Sequence, residues 1–359
     1  MPLSDYTDIV LSARGRSIAR GRAELRLGLA RIYVEEMGRA LEGVAQGEMS
    51  EAEARAVVRD LADALARYAE QGEALVKRRI LQMMQDATEA HSAALRRVGE
   101  EFGVSLEASF SGVPTRAYEA MYLRRDMGLT KSYKTLSRYN AEQYAGRIEG
   151  ALDGMLLRGE SPQTATRRIA AALAKGDPAA EAAFRQYGVG GWLREYRRFD
   201  PDNEALAIAN RLRADAERIA RTEPNAAFHE ADRLAAIESP VVRAMRWNLS
   251  PRHPKWDICD IYAKTDLYGL GRGVMPAEVV VVVPHPNCLC FRTFELVDPR
   301  EATAHTDRPP KPREIGRRDI GRILTGDVSS GEVQRAIQQA NRDTSKAYEY
   351  YQKSEEVAV

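Results

Sequence analysis

The stretch VVVVVPHPNCLCF, residues 279–291, joins five consecutive valines to a turn that carries one histidine and two of the chain's three cysteines. Successive β-branched residues are typical of a buried strand, and Pro284 and Pro286 cannot extend one because they lack the backbone N–H. We therefore predict a strand at residues 278–283 that delivers His285 and Cys288 to one point. A second predicted strand, residues 290–297, leaves from that point.

Two further donors of the same kind lie upstream of this turn. The combined spacing, H-x5-C followed by H-x2-C-x-C, resembles the two-knuckle layout of structural zinc sites, in which imidazole and thiolate groups complete a tetrahedron. Such an ion would fasten the turn to a glycine-containing loop, residues 251–284, that has few apolar anchors. Four ligands complete the coordination of one ion, so one of the five donors is expected not to bind it. His285 and Cys290 are the two candidates for that donor. The sequence thus predicts a structural Zn²⁺ site with four of five residues as ligands: His253, Cys259, His285, Cys288 and Cys290.

The same residues have other interpretations. The cysteines can be buried free thiols, or Cys259 and Cys288 can form a disulfide that leaves Cys290 over. A catalytic ion would need an open coordination position and a nearby base. Aspartates beside such loops more often form turns or hydrogen-bond the ligands, and this applies to Asp257, Asp260 and Asp266. The sequence contains no complete catalytic motif, and we predict a protein that is not an enzyme.

Long helices are predicted for the first third of the chain. Charged residues make up 29% and aromatic residues 7%, a balance that suits solvent-facing helices better than a β-rich fold. Ser50 and Glu53 match a capping box, and the next proline is Pro114, so one helix of about fifty residues, roughly 75 Å, is expected. Such helices bury a narrow apolar stripe by pairing in a hairpin or by docking on another protein.

The predicted fold class is mainly α with a small α+β domain: a long N-terminal helical hairpin, a helical middle, a small antiparallel sheet with a metal knuckle, and a helical C-terminal tail. Strand-like alternation begins after Pro240, where the helical periodicity ends. We expect a docking arm at 1–113, a core at 114–299 with a loop-rich insertion at 176–203, and a linker with a polar tail at 300–359. The thin apolar stripe of that tail predicts that it leans on a partner or is mobile.

Charge gives little support for nucleic-acid binding. The formal net charge is only +1, so a basic surface would have to be local. Such a cluster, interleaved with tyrosines, offers a contact for DNA, but without a recognisable binding module a solvated helix face is the favoured interpretation: Arg124, Arg125, Lys131, Lys134 and Arg138. No run of eighteen apolar residues and no secretory signal occurs, so we predict no membrane insertion and no export.

Four segments taken together resemble a known family. These are IARTEPNAAFHEA at 219–231, SPVVRAMRWNLSPRHPKWDICDIYA at 239–263, LYGLGRGVMPAE at 267–278 and PHPNCLCF at 284–291. In this order they look like the core of phage head morphogenesis proteins, the family of the Mu F protein, over roughly residues 131–297.

The resemblance implies a minor head protein, present in few copies in the virion and in the host cytoplasm during assembly. Its implied partners are the portal protein and the inner capsid surface, with roles in assembly and genome delivery. The five histidine and cysteine positions coincide with the family's polar signature. Arg221, Thr222 and Glu223 coincide with its helix motif, and we predict that these three form a buried hydrogen-bonded cluster that braces the sheet.

Two rival functions use the same residues. The metal site can belong to a hydrolase carried in the virion, or the basic segment around residues 124–138 can bind packaged DNA. A structural role for the metal predicts a loss of stability when a ligand is removed, whereas a hydrolase would lose activity with its fold intact.

Overall fold

The computed structural model describes residues 2–41, 48–106, 108–126, 138–174, 204–253, 255–281, 284–302, 309–320 and 328–357. Within these ranges the chain is mainly helical with a small three-stranded antiparallel sheet, which confirms the predicted fold class. The helices are α1 Pro2–Leu41, α2 Glu51–Phe102, α3 Val113–Asp126, α4 Arg138–Leu157, α5 Pro162–Ala174, α6 Glu204–Glu238, α7 Ile258–Lys264, α8 Arg317–Ile320 and α9 Ser330–Val357. The strands are β1 Val242–Asn248, β2 Val274–Met275 and β3 Phe291–Leu296.

The chain forms two compact units, each built from segments that are distant in sequence. One unit contains residues 1–21, 80–131 and 221–359, and includes the sheet and every predicted metal ligand. The other contains residues 22–79 and 132–220 and is helical where the structure describes it.

The predicted N-terminal hairpin is present, because α1 and α2 make antiparallel contacts within each unit. In the helical unit, the buried carboxylate of Glu36 accepts hydrogen bonds from Arg67 at 2.6 Å and from Gln71 at 2.7 Å. In the sheet-containing unit, Ser17 donates to Asp86 at 2.6 Å. Helix α2 is 52 residues long, as its uninterrupted stripe predicted.

The start of α2 shows how local sequence specifies a helix end. The side chain of Ser50 accepts from the backbone of Glu53 at 3.3 Å, and the Glu53 carboxylate accepts from the backbone of Ser50 at 2.7 Å. These reciprocal bonds satisfy two amides of the first turn and confirm the predicted capping box.

The core of the helical unit is mainly apolar, and two polar contacts join its helices. Arg55 of α2 pairs with Asp153 of α4 at 2.7 Å. The hydroxyl of Tyr33 on α1 donates to the backbone oxygen of Leu173 on α5 at 2.8 Å. The buried side chains include Leu25, Leu29, Met37, Leu61, Leu65, Ile148, Leu152, Ile169 and Ile208.

The sheet has the order β2-β1-β3, with both pairs antiparallel. Met245 of β1 faces Met275 of β2, and Trp247 faces Arg292 of β3. The predicted strand at residues 278–283 is wrong where the structure describes it, because Ala277–Val279 forms a 3₁₀ turn. The edge beside β1 is occupied by Val274–Met275, and Pro276 cannot donate to continue that ladder. The three described valines, Val279, Val280 and Val281, are buried by packing and are not part of a described strand.

The predicted weakly ordered loop at 251–284 is also wrong in its described part. It contains α7, on which Ile258, Ile261 and Tyr262 are all buried. Gly273 closes the segment with a positive φ of 76°, and a Cβ at this position would lie 2.7 Å from the backbone oxygen of Ala263. Only glycine fits there without distortion.

The C-terminal helix α9 packs on its own unit, and whether the tail also contacts a partner stays a prediction. Val333, Ile337 and Ala340 of α9 are buried. Gln339 donates to the backbone oxygen of Pro284 at 2.9 Å. The thin apolar stripe of α9 therefore packs against α7 and the 3₁₀ turn of the same unit.

Several predicted features lie outside the described residues. They include the loop-rich insertion at 176–203, Lys131 and Lys134, and the side chains of Arg124, Arg125 and Arg138. Among the described helices, none has both the length and the apolar character that crossing a bilayer requires.

Candidate metal centre

Three cysteine side chains meet in the sheet-containing unit. Cys259 lies in the first turn of α7, while Cys288 and Cys290 lie in the cysteine turn, residues 285–290, that precedes β3. Their sulfurs all lie within 4.8 Å of one another, the three side chains are buried, and all three are free thiols. This buried cluster can hold a metal ion.

The distance between the sulfurs of Cys259 and Cys288 matches tetrahedral coordination. A zinc ion with Zn–S bonds of about 2.3 Å places two thiolate sulfurs about 3.8 Å apart. The Sγ atoms of Cys259 and Cys288 are 3.6 Å apart. An ion therefore fits between these two sulfurs with little movement of the chain, and the Cys290 sulfur lies within 4.8 Å of both.

His253 lies beside Cys290. Its Nδ1 atom is 4.0 Å from the Cys290 sulfur, and its Nε2 atom is 2.8 Å from a carboxylate oxygen of Asp260. The buried Asp260 also accepts from Lys264 at 2.6 Å and from the backbone of Asp257 at 3.0 Å. A carboxylate that accepts from one ring nitrogen orients the other toward a metal, as in many zinc sites.

His285 lies beside Cys259 instead. Its Nε2 atom is 3.2 Å from the Cys259 sulfur, and its Nδ1 atom is 2.9 Å from the backbone oxygen of Pro286. One carboxylate oxygen of Asp257 lies 3.4 Å from the same Nε2 atom, and the other caps α7 by accepting from the backbone of Cys259 at 2.7 Å. All five predicted donors thus lie in one cluster, with a histidine next to each of two different cysteines.

The thiols alter one another's ionisation. The pKa of Cys290 is lowered because the thiols of Cys259 and Cys288 donate to its sulfur. The pKa of Cys259 is raised, first by its hydrogen bond with Cys288 and then by that with Cys290 and by burial. One sulfur of the cluster therefore carries a negative charge readily, and thiolate is the form of cysteine that binds metal.

One face of α6 holds the cysteine turn in place. The Thr222 side chain accepts a hydrogen bond from the backbone N–H of Asn287 at 3.0 Å, and the Asn225 side chain donates one to the backbone oxygen of Cys288 at 2.9 Å. The Nε2 atom of His229 lies 3.0 Å from the backbone oxygen of Cys290. Positions 222, 225 and 229 follow the i, i+3, i+7 spacing of a helix face. Asn287 has a positive φ of 63°, which asparagine tolerates better than most residues.

Two arginines, the buried Arg292 and the half-buried Arg14, complete this support. Arg292 of β3 donates to the Nδ1 atom of His229 at 3.2 Å and to its backbone oxygen at 2.8 Å. The pKa of His229 is held well below its usual value, first by burial and then by the positive charges of Arg292 and Arg14. The ring is therefore neutral, and its Nε2–H donates to the backbone oxygen of Cys290. Arg14 of α1 donates to the Asn225 side chain at 2.6 Å.

The predicted cluster of Arg221, Thr222 and Glu223 is only partly what the structure shows. Thr222 and Glu223 are buried, but Arg221 is exposed, because α6 turns that position toward solvent. Sequence reasoning missed Arg14, Asn225, His229 and Arg292 as parts of the site. The helical spacing of Thr222, Asn225 and His229 was a usable signal, whereas nothing near Arg14 in the sequence indicated its role.

Replacing Thr222 by valine is expected to lower the free energy of unfolding by about 1 kcal/mol, because the N–H of Asn287 loses its acceptor while the side-chain shape is kept. Chemical denaturation measures the change. The exposed neighbour provides the control, since Arg221→Ala should alter stability by no more than about 0.5 kcal/mol. Equal losses from both substitutions would contradict this role for Thr222.

Comparisons of the chain with protein-family models, with curated protein sequences and with solved structures returned no match. The likeness to head morphogenesis proteins therefore depends on the four sequence segments and on where the structure places them.

Proposed function

We propose that the chain is a minor head protein of a tailed phage, associated with the portal or the inner capsid surface, and that its cysteine cluster holds a structural Zn²⁺ ion. The resemblance supplies the function, and the supporting observation from the structure is that its four segments together form the cysteine cluster, the helix face that holds it and the adjoining sheet.

Each segment contributes a different part of this arrangement of cluster, helix and sheet. The first, on α6, binds the cysteine turn through Thr222, Asn225 and His229. The second supplies β1 and Cys259, the third supplies β2, and the fourth is the cysteine turn itself. The four segments lie close together in the sequence, within residues 219–291, and they also pack together in the fold, which supports reading them as one motif.

The donor set favours zinc over the hard cations. Thiolate and imidazole ligands suit zinc, whereas magnesium and calcium prefer oxygen ligands. We assign the four ligands as Cys259, Cys288, Cys290 and the Nδ1 atom of His253. The ion would join α7 to the cysteine turn through Cys259 and Cys288, which are 29 positions apart in the sequence. A metal ion that crosslinks two segments in this way has a structural role.

The proposed location can be tested on virions of the phage or prophage whose genome encodes the chain. Mass spectrometry of gradient-purified particles should detect its peptides at a few copies per particle, and particles with an amber codon at Glu51 should lack them. A replication protein from the same genome serves as the control for contamination. Absence of the chain from purified particles, or abundance no greater than that of the control, would overturn the proposed function.

A further inference from the structure

We propose that the cluster binds two metal ions, with the sulfur of Cys259 bridging them. This inference rests on the proposed zinc site and deepens it. The second ion is held by Cys259, by the Nε2 atom of His285 and by one carboxylate oxygen of Asp257.

The donor atoms of this second set lie together. The three atoms are within 4.8 Å of one another, as are the three sulfurs of the first set, and Cys259 belongs to both. With bonds of about 2.3 Å to sulfur and about 2.05 Å to nitrogen and oxygen, tetrahedral geometry requires edges of about 3.5 Å for S···N and about 3.4 Å for N···O. The corresponding distances are 3.2 Å between Cys259 and His285 and 3.4 Å between His285 and Asp257.

Two of these ligands, Asp257 and His285, are each already oriented by a second polar atom of the same side chain. Asp257 uses one oxygen to cap α7, which leaves the second oxygen facing His285. His285 has its Nδ1 atom against the backbone oxygen of Pro286, so its Nε2 atom carries the lone pair that faces Cys259. A site whose ligands are held in this way requires little ordering when an ion enters.

The first ion does not need either residue. The three sulfurs form one ligand set, and the fourth ligand that we assign is His253, whose Nδ1 atom lies 4.0 Å from the Cys290 sulfur while its Nε2 atom lies 2.8 Å from Asp260. His285 and Asp257 are then a histidine and a carboxylate placed beside a thiolate with no other metal to bind.

The two positions differ in their access to solvent. The side chains of Asp257 and His285 are each 30% exposed, while that of His253 is 12% exposed and the cysteines are buried. The second ion has three protein ligands and meets water, which is the pattern of an open zinc site. It should therefore be a borderline divalent ion such as Zn²⁺ or Co²⁺, bound more weakly than the first and exchanged more readily.

The test is a count of ions on the full chain. Native mass spectrometry after loading with Zn²⁺ should show two ions on the wild-type protein and one on Asp257→Asn and on His285→Ala. The asparagine variant keeps an oxygen for the helix cap but replaces the ligand oxygen with an NH₂ group. Asp298→Asn is the matched control, because the Asp298 side chain is 33% exposed and lies outside the cluster, and it should retain two ions.

Cobalt titration tests the bridge itself. The first equivalent of Co²⁺ should give the electron paramagnetic resonance signal of an isolated high-spin ion, and the second should weaken it, because a shared thiolate couples the two spins. In Asp257→Asn the signal should remain that of a single ion.

The outcomes separate the two proposals. A single bound ion on the wild-type protein would overturn the second site but leave the structural zinc. If that single ion were also lost in His285→Ala, His285 would be the fourth ligand of the structural zinc. No bound ion on the wild-type protein overturns the structural zinc and the second site together.

Discussion

Replacing Cys259 by serine is expected to abolish binding of the proposed zinc and to lower the free energy of unfolding by more than about 4 kcal/mol, the stabilisation given by a ligand present at a thousand times its dissociation constant. The sulfur of Cys259 is the only cysteine ligand from α7, and it lies 3.6 Å from Cys288 in the cysteine turn. Without it, the ion no longer joins these two segments. Denaturation in the presence of zinc, followed by the fluorescence of the buried Trp247 and Trp256 in the same unit, measures the loss.

A chelator separates the effect of the metal from that of the substitution. Chelation should destabilise the wild-type protein by nearly the same amount as the substitution, but should not affect the Cys259→Ser variant further, because both changes remove one interaction. A wild-type protein that is indifferent to chelation, with three freely reactive thiols, would show that the cluster is a set of buried thiols without metal.

Replacing Asp232 by alanine is expected to lower the free energy of unfolding by about 3 kcal/mol, as for other buried pairs that lose one partner. Asp232 accepts from the Nε2 atom of His91 at 3.0 Å, and the Nδ1 atom of His91 is 2.8 Å from the hydroxyl of Tyr6. All three side chains are almost completely buried, so water cannot replace the lost acceptor without rearrangement.

The matched control for this prediction is Asp232→Asn, whose amide oxygen still accepts from His91 and whose volume is the same. It should lose less than half of what the alanine variant loses. Thermal unfolding of the two zinc-loaded variants makes the comparison. A loss below about 1 kcal/mol for Asp232→Ala would mean that the buried chain from Tyr6 to Asp232 is not a stabilising network.

Local sequence was sufficient wherever the interactions that form an element lie within it. Ser50 and Glu53 marked the start of α2, whose apolar stripe predicted its length, and strand-like alternation after Pro240 predicted β1 and β3. The histidine and cysteine spacing predicted one cluster, and the structure brings all five residues together.

The errors had a common cause. Five valines indicate burial, but burial does not require a strand, and the edge of β1 was already taken by Val274–Met275. The short helix α7 went unpredicted because seven residues contain too few turns for a periodic signal. Pairing partners and short buried helices depend on what else competes for the same surface.

The sequence by itself determined a mainly helical chain with a small sheet and a set of soft metal donors near its end, since helix periodicity, capping and donor type are properties of neighbouring residues. Only the tertiary structure decided that α6 holds the cysteine turn, that His253 and His285 lie beside different cysteines, and that Arg14 reaches the site from the first helix. Those relations join residues as many as 276 positions apart. No local pattern encodes them, because the free energy that selects them comes from packing the whole unit.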